Sequence, residues 1–362
     1  MATASGPRIV EIAERIAADI RKRRLRPGDA YDGTAETAQR LRVSGSTVNR
    51  AFQLLAQRGV VVRKQRLGTI VAEPRPVRAT ATLQRVHLVV REDHLRAEGL
   101  WADGVLWGLQ GALPGVELQF NFRPEVDEAE YVERLIHDVL RSREAAGLVL
   151  IRSTVVTQRL VADSGLPAVV SGTLQPSIKN LPSIDRDQRQ IGSLLAEHLL
   201  RAKCRTFLIL MRERLAAGDH AALDGALATL AEAGVPLDAI RLRFLPSDDA
   251  AIIAAVREQL SEAATRGERI GCLCRSARLA RGTAAAASAL RLPTKRRPTI
   301  VAADAEGSAP GTMPYPYTEP TIGAEAWGER LGQMLAAAAR GERPEPYRAT
   351  IPVRLRLPEQ ND

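Results

Sequence analysis

Val43-Ser44-Gly45-Ser46-Thr47-Val48-Asn49-Arg50-Ala51-Phe52 is the stretch that decides the fold of the first domain. Ser44 is a residue type that caps helix N-termini, because its hydroxyl accepts a backbone N–H that has no partner in the first turn. Val48, Ala51, Phe52 and Leu55 recur at helical spacing and predict a buried stripe. That leaves Gly45, Ser46, Thr47, Asn49, Arg50 and Gln53 facing outward. The outer face is small and polar near the helix start and carries one arginine, which suits a helix lying in a DNA major groove. Ser, Thr and Asn bind phosphates or base edges, and Arg binds guanine or a phosphate. A solvated amphipathic helix has the same pattern, so the flanking sequence has to decide between them.

Downstream, Gly59 stops the helix. Val60-Val61-Val62-Arg63-Lys64-Gln65-Arg66-Leu67-Gly68-Thr69-Ile70-Val71 then reads as strand, basic turn with glycine, strand. A basic hairpin directly after such a helix is the wing of a winged helix-turn-helix, and Lys64, Arg66, Gly68 and Thr69 are its candidate DNA contacts. Upstream, Ile9, Ile12, Ala13, Ile16 and Ile20 predict an amphipathic helix over 8–24, ending in Arg21-Lys22-Arg23-Arg24. Arg26-Pro27-Gly28-Asp29 forces a turn, and a short helix at about 34–41 is expected to turn Ala35, Ala38 and Leu41 inward.

Residues 8–72 resemble the DNA-binding domain of the GntR family. The resemblance is carried by Pro27-Gly28-Asp29, Val43-Ser44, Thr47-Val48, Arg50-Ala51, Leu55 with Gly59, and Gly68-Thr69-Ile70-Val71. It implies a winged helix-turn-helix that binds double-stranded DNA through Ser44, Gly45, Ser46, Thr47, Asn49, Arg50 and the wing. Ala35 stands where the family usually has a phosphate-contacting arginine, Gly45 where it has another, and Arg66 where the first wing glycine is usual. These departures imply a different operator sequence, with Arg66 supplying some of the lost phosphate contact.

Charge points to the same domain. Residues 1–78 hold 16 Lys+Arg against 7 Asp+Glu, and the remaining 284 hold 35 against 35, so the whole net charge of +9 sits on the first fifth of the chain. A basic excess on one small domain attracts a polyanion, because each neutralised phosphate releases a condensed counterion.

The domain boundaries expected from the sequence are 1–72 for the winged domain, 73–84 for a proline-containing linker and 85–355 for a larger domain. In the last, apolar strands alternate with helices: strands near 86–90, 116–120, 147–151 and 167–171, then, after Ile184-Asp185, near 206–211, 241–245, 270–274 and 299–302. Such alternation predicts an α/β fold with parallel sheets covered on both faces, here in two lobes with a cleft at the carboxyl ends of the strands.

This part resembles the effector domain of the LacI/GalR regulators, itself similar to periplasmic binding proteins. The resemblance rests on Asp185 with Ile191-Gly192, Ala196-Glu197-His198-Leu199-Leu200, Leu230 to Val235, Val301-Ala302-Ala303-Asp304, Tyr317-Thr318-Glu319-Pro320 and Ile351-Pro352-Val353. It implies a small-molecule effector site, dimerisation and control of operator affinity, most often by repression. The usual ligand-contacting Arg, Asn-Asp pair and Asp are replaced by Ala222, Ser276-Ala277 and Gly172. In their place Arg91, Arg152 and Arg275 fall at strand ends that should face the cleft, and Asp304 remains. Trp101, near the start of a helix, is a candidate stacking surface; core packing is the expectation for Trp107 and Trp327, and the stronger one for Trp101 too. Three outcomes stay open: an anionic effector clamped by arginines, a neutral sugar, or a degenerate cleft in a domain that only dimerises.

No His/Glu metal motif, nucleophile elbow or phosphate loop occurs, so neither enzymatic activity, nor a metal, nor a cofactor is expected. The five histidines are scattered. Cys204, Cys272 and Cys274 form neither a disulfide framework nor a zinc spacing; they read as reduced, buried thiols of a cytoplasmic protein. Charges run through the N-terminal stretch where a signal peptide would be apolar, and no 18-residue apolar run predicts a membrane span.

Overall fold

The computed structural model describes residues 6–26, 28–57, 60–64, 68–72, 82–92, 102–142, 144–265, 269–293, 296–304 and 313–358. The first domain has three helices, α1 (Gly6–Lys22), α2 (Thr34–Leu41) and α3 (Gly45–Gln57). They pack with an antiparallel sheet of β1 (Ala30–Tyr31), β3 (Gly68–Val71) and β2 (Val61–Lys64), in that order. Ile12, Ile16, Val48, Phe52 and Leu55 fill the core, and the Tyr31 ring meets Phe52 edge-on at 6.1 Å between centroids. The apolar stripe read from α1 and α3 is the buried face. On α2 the inward face differs from expectation. Ala35 is exposed and Thr37 is buried, because Thr34, Thr37, Ala38 and Leu41 share one side of a helix of this length. The sequence also gave no sign of β1, two residues long, which makes β3 the central strand.

Residues 85–356 form two six-stranded sheets. One is built from β4 (Arg85–Val90), β5 (Glu117–Phe122), β6 (Ala146–Ile151), β7 (Ala168–Ser171), β8 (Ser183–Arg186) and β14 (Arg348–Ile351), all neighbours parallel, in the order β14-β8-β7-β6-β4-β5. The other holds β9 (Thr206–Arg212), β10 (Ile240–Leu245), β11 (Ile270–Cys274), β12 (Thr299–Ala302), β13 (Tyr317–Pro320) and β15 (Val353–Arg356), in the order β10-β9-β11-β12-β13-β15. Only the edge pair β13–β15 is antiparallel among its neighbours. Central strands such as Val86–Val90 and Ile270–Cys274 are buried throughout, as parallel strands covered by helices on both faces must be. The chain passes between the sheets after Arg186, after Pro320 and at Pro352, so each lobe is assembled from separated segments.

Helices α4 (Ala102–Ala112) and α11 (Ala324–Ala339) cross at Gly108 and Gly328, where an added Cβ on either would collide with the other helix's backbone. This crossing fixes the fate of the tryptophans. Trp327 is buried and its Nε1 donates to Ser171 Oγ at 3.1 Å, as a packing role requires. Trp107 was expected in the core but is 72% exposed. Val105, Gly108 and Leu109 take the inward face of α4, and the helical period leaves residue 107 on the far side. Cys204, Cys272 and Cys274 are free and buried, and burial pushes the Cys274 thiol up to about 12.

Candidate functional site

In the first domain, Thr47 donates its backbone N–H to Ser44 Oγ at 3.1 Å, which makes Ser44 the N-cap of α3. The same oxygen lies 2.9 Å from Ser46 Oγ and 2.7 Å from Thr47 Oγ1. Ser44, Gly45, Ser46 and Arg50 are exposed; Thr47 and Asn49 are half-buried. The outward face thus presents small polar groups at its start and a guanidinium one turn on. Lys64 ends β2 opposite Gly68, whose φ of 82° opens β3. Arg66 lies outside the described residues.

Thr69 was expected to face DNA, but its side chain is buried. It sits in the middle strand between Tyr31 and Arg63, and strand alternation turns it inward with Val71. Two residues that sequence reasoning passed over, Gln39 and Arg42, line a shallow depression of about 430 Å³ together with Ser44 and Thr47 at the α3 N-terminus. Helix N-termini of this kind attract phosphate.

An ionic network ties α1, β1 and α2 together. Tyr31 donates to Asp19 Oδ2 at 2.8 Å and accepts from Arg40 Nη2 at 2.6 Å. Arg23 and Arg40 reach Asp32 at 2.8 and 3.1 Å. Burial and the Asp19 hydrogen bond push the Tyr31 phenol up to about 12.

Between the lobes, the carboxyl ends of the strands converge on Asp304, two residues past β12. Arg186, the last residue of β8 in the other lobe, donates to Asp304 Oδ1. Arg212, the last residue of β9, donates to Oδ2 at 3.2 Å, and Arg275 Nη1, just past β11, lies 3.6 Å from the same oxygen. Arg275 Nε lies 2.6 Å from Asp219 Oδ1, and its Nη2 donates to Gln188 Oε1 at 2.9 Å. Gln188 in turn donates to Asp185, which also accepts from Thr173 and from the Arg186 backbone N–H. Burial works to raise the Asp304 pKa, yet Arg186, Arg275, Arg152 and Arg212 together outweigh it and hold the carboxyl well below its usual range. Burying so many charges is costly unless each is paired.

Of the residues singled out from the sequence, Arg275 and Asp304 meet directly, and Arg152 acts on Asp304 through its charge. The Arg152 backbone takes φ 44° and its carbonyl accepts from Arg123 Nη2 at 3.1 Å. Arg91 instead faces Glu125 at 3.9 Å, a carboxylate that also pairs with Arg214 of the other lobe. Ser276 is occupied in capping the helix Ala277–Ala289. Trp101 lies outside the described residues. Arg186, Arg212, Gln188 and Asp219 went unrecognised in the sequence. Arg212 had a usable signal, since it ends an apolar strand just as Arg275 follows one. Asp219 and Gln188 had none, because their neighbours come from distant segments. Among the described residues, no group of three His, Cys, Asp or Glu side chains is placed to hold a metal ion, and no helix is long and apolar enough to cross a membrane.

Residues 8–71 match the model of the family described as bacterial regulatory proteins, gntR family. No curated protein matches the sequence. Among solved structures, the complex of the transcriptional regulator CelR with cellobiose is similar, with 18% identity, 88% of this chain and 92% of that chain covered, and a TM-score of 0.64. The transcription regulator CcpA of Lactococcus lactis shares 12% identity over 76% of this chain and 97% of that one, with a TM-score of 0.60. A LacI family transcriptional regulator from Enterococcus faecium with bound ribose shares 16% identity over 75% and 96%, with a TM-score of 0.57. The chain therefore carries a gntR-type winged helix-turn-helix domain at its N-terminus, followed by the two-lobed, periplasmic-binding-protein-like fold of the LacI-family regulators.

Proposed function

We propose that this protein is a sequence-specific transcription regulator, acting as a repressor, whose operator affinity is set by a small-molecule effector bound between the two lobes. The observation that carries the first half is the division of α3: its whole apolar stripe is buried while Gly45, Ser46 and Arg50 remain exposed beside a basic wing. In this reading Ser46, Thr47, Asn49 and Arg50 meet base edges, while Arg42, Lys64 and Arg66 meet phosphates. The effector half is supported by the lobe architecture and by regulators of the same fold that hold cellobiose or ribose.

Two copies pair to read two half-sites of a near-palindrome. Trp107 on α4 and Phe122 on the edge strand β5, 72% and 44% exposed, support a dimer contact on this lobe, since large exposed apolar groups mark interaction surfaces. Effector binding changes the angle between lobes, and with it the spacing of the winged domains; it acts to the extent that the two states differ in ligand affinity.

A second reading is favoured by Asp304 itself, whose oxygens are taken by the protein's own arginines. Here the second domain only dimerises, and DNA binding ignores metabolites. Operator selection from random duplexes, repeated with pooled sugars, sugar phosphates and organic acids, separates the two. A palindrome released by one pool supports effector control. A palindrome indifferent to all pools supports the dimerisation-only reading, and no selected sequence at all defeats both.

A further inference from the structure

We infer that the two lobes are latched to each other by the protein's own side chains, Arg186 with Asp304 near the crossovers and Arg214 with Glu125 at the far rim, and that an effector acts by breaking this latch. The inference rests on the effector-controlled reading and names the step that the effector performs.

The inner contact is a fork. Arg186, the last residue of β8, donates through Nη2 to Asp304 and through Nη1 to the Ala303 carbonyl at 3.3 Å, so one side chain holds two successive residues of the other lobe. The Arg186 side chain is 15% exposed and that of Asp304 8%. Salt screens so buried a pair little, and parting it leaves charge where solvent barely reaches. Next to this fork the lobes touch directly. Gly218, in the helix Ala217–Glu232 of the second lobe, lies so close to Thr173, just past β7 of the first, that an added Cβ would stand 2.5 Å from the Thr173 hydroxyl oxygen.

Strand order places the outer contact. The crossovers leave from β8 and β14 at one edge of the first sheet and from β13 and β15 at one edge of the second. Glu125 follows β5, the opposite edge of the first sheet, and Arg214 follows β9, on the opposite side of the second. Arg91, just past β4, faces the same carboxylate. The side chains of Arg214 and Glu125 are 77% and 52% exposed, so the pair is weak by itself. Its distance from the crossovers gives it leverage: one contact beside a hinge leaves the angle free, and a second far from the hinge does not. An effector that enters between the lobes has to part these pairs. A variant that lacks them should take the released angle with no effector present.

The test is a nitroxide distance measurement by double electron–electron resonance on the full chain carrying Ala129→Cys and His220→Cys. Both positions are exposed, on the helices Glu128–Ser142 and Ala217–Glu232 of opposite lobes, and the native cysteines are buried. The parent should give one narrow distance. Arg186→Lys keeps a cation beside Asp304 but cannot hold carbonyl and carboxylate together, and should add a second, longer distance. Arg186→Lys with Glu125→Gln should move most molecules to it. Glu125→Gln alone, on the exposed rim, should broaden the peak, so the latch is tested even if Arg186→Lys does not fold. A parent distribution that is already split, or one unchanged in every folded variant, overturns the latch. Gel-shift titration of the same variants on the selected operator keeps the two ideas apart. A loss of affinity of roughly tenfold in the double variant supports both. A changed distance with parental operator affinity sinks effector control and leaves the latch, and an unchanged distance in a protein whose operator is released by a metabolite pool sinks the latch alone.

Discussion

Arg186 at the end of β8 and Asp304 just past β12 form a hydrogen-bonded ion pair that joins one lobe to the other. Asp304 is also the carboxylate on which Arg212 and Arg275 converge. Removing it leaves buried guanidiniums uncompensated. Asp304→Asn should lower unfolding stability by about 3–5 kcal/mol, measured by denaturant titration. The pH dependence has a defined sign. The folded carboxyl is held below its unfolded value, so its contribution is complete above about pH 4 and declines as pH falls further. Stability that falls equally in Asp304→Asn and the parent between pH 4 and pH 2 would contradict this assignment.

Arg50 is exposed one turn into α3 and is absent from the core. Arg50→Ala should weaken operator binding by about 1–3 kcal/mol if it reads a base, with Tm unchanged. Gel-shift titration against the selected operator checks it, and unchanged affinity refutes the recognition-helix assignment.

Ser44 caps the same helix through the Thr47 N–H. Ser44→Ala should cost about 1 kcal/mol of stability, whereas Ser46→Ala should cost little. Chemical denaturation of both variants distinguishes the cap from its neighbour; equal losses would mean that the cap contributes nothing special.

Tyr31 is buried between Asp19 and Arg40, with its phenol pushed up to about 12. A folded value above the unfolded one, about 10, stabilises fully below pH 10 and loses that contribution as pH rises toward 12. Alkaline unfolding of the winged domain should therefore steepen over this window and flatten in Tyr31→Phe. Circular dichroism against pH reads both.

Trp107 projects from α4 away from the core. Trp107→Lys should shift sedimentation toward a monomer while leaving helix content intact. A variant that remains as dimeric as the parent would remove this face from the proposed contact.

The sequence by itself determined the three helices of the winged domain and the strand pair β2–β3. Ser44, the apolar stripe of α3 and the strand-turn-strand after it are local patterns, and helix caps, periodicity and hairpins are decided within a dozen residues. The α/β alternation and the strand-end positions of Arg152 and Arg275 were legible for the same reason. Tertiary structure alone decided the rest. The two-residue strand at Ala30–Tyr31 exists through its pairing with β3, on which alternation turns Thr69 inward with Val71. The glycine crossing of α4 with α11, more than 200 residues apart, turned Trp107 out to solvent. The cleft shows the limit most clearly. Arg186, Arg212, Arg275 and Asp304 come from four strand ends across more than 110 residues, and whether an arginine there greets a ligand or a neighbouring carboxylate depends on distances of a few ångströms that no local pattern encodes.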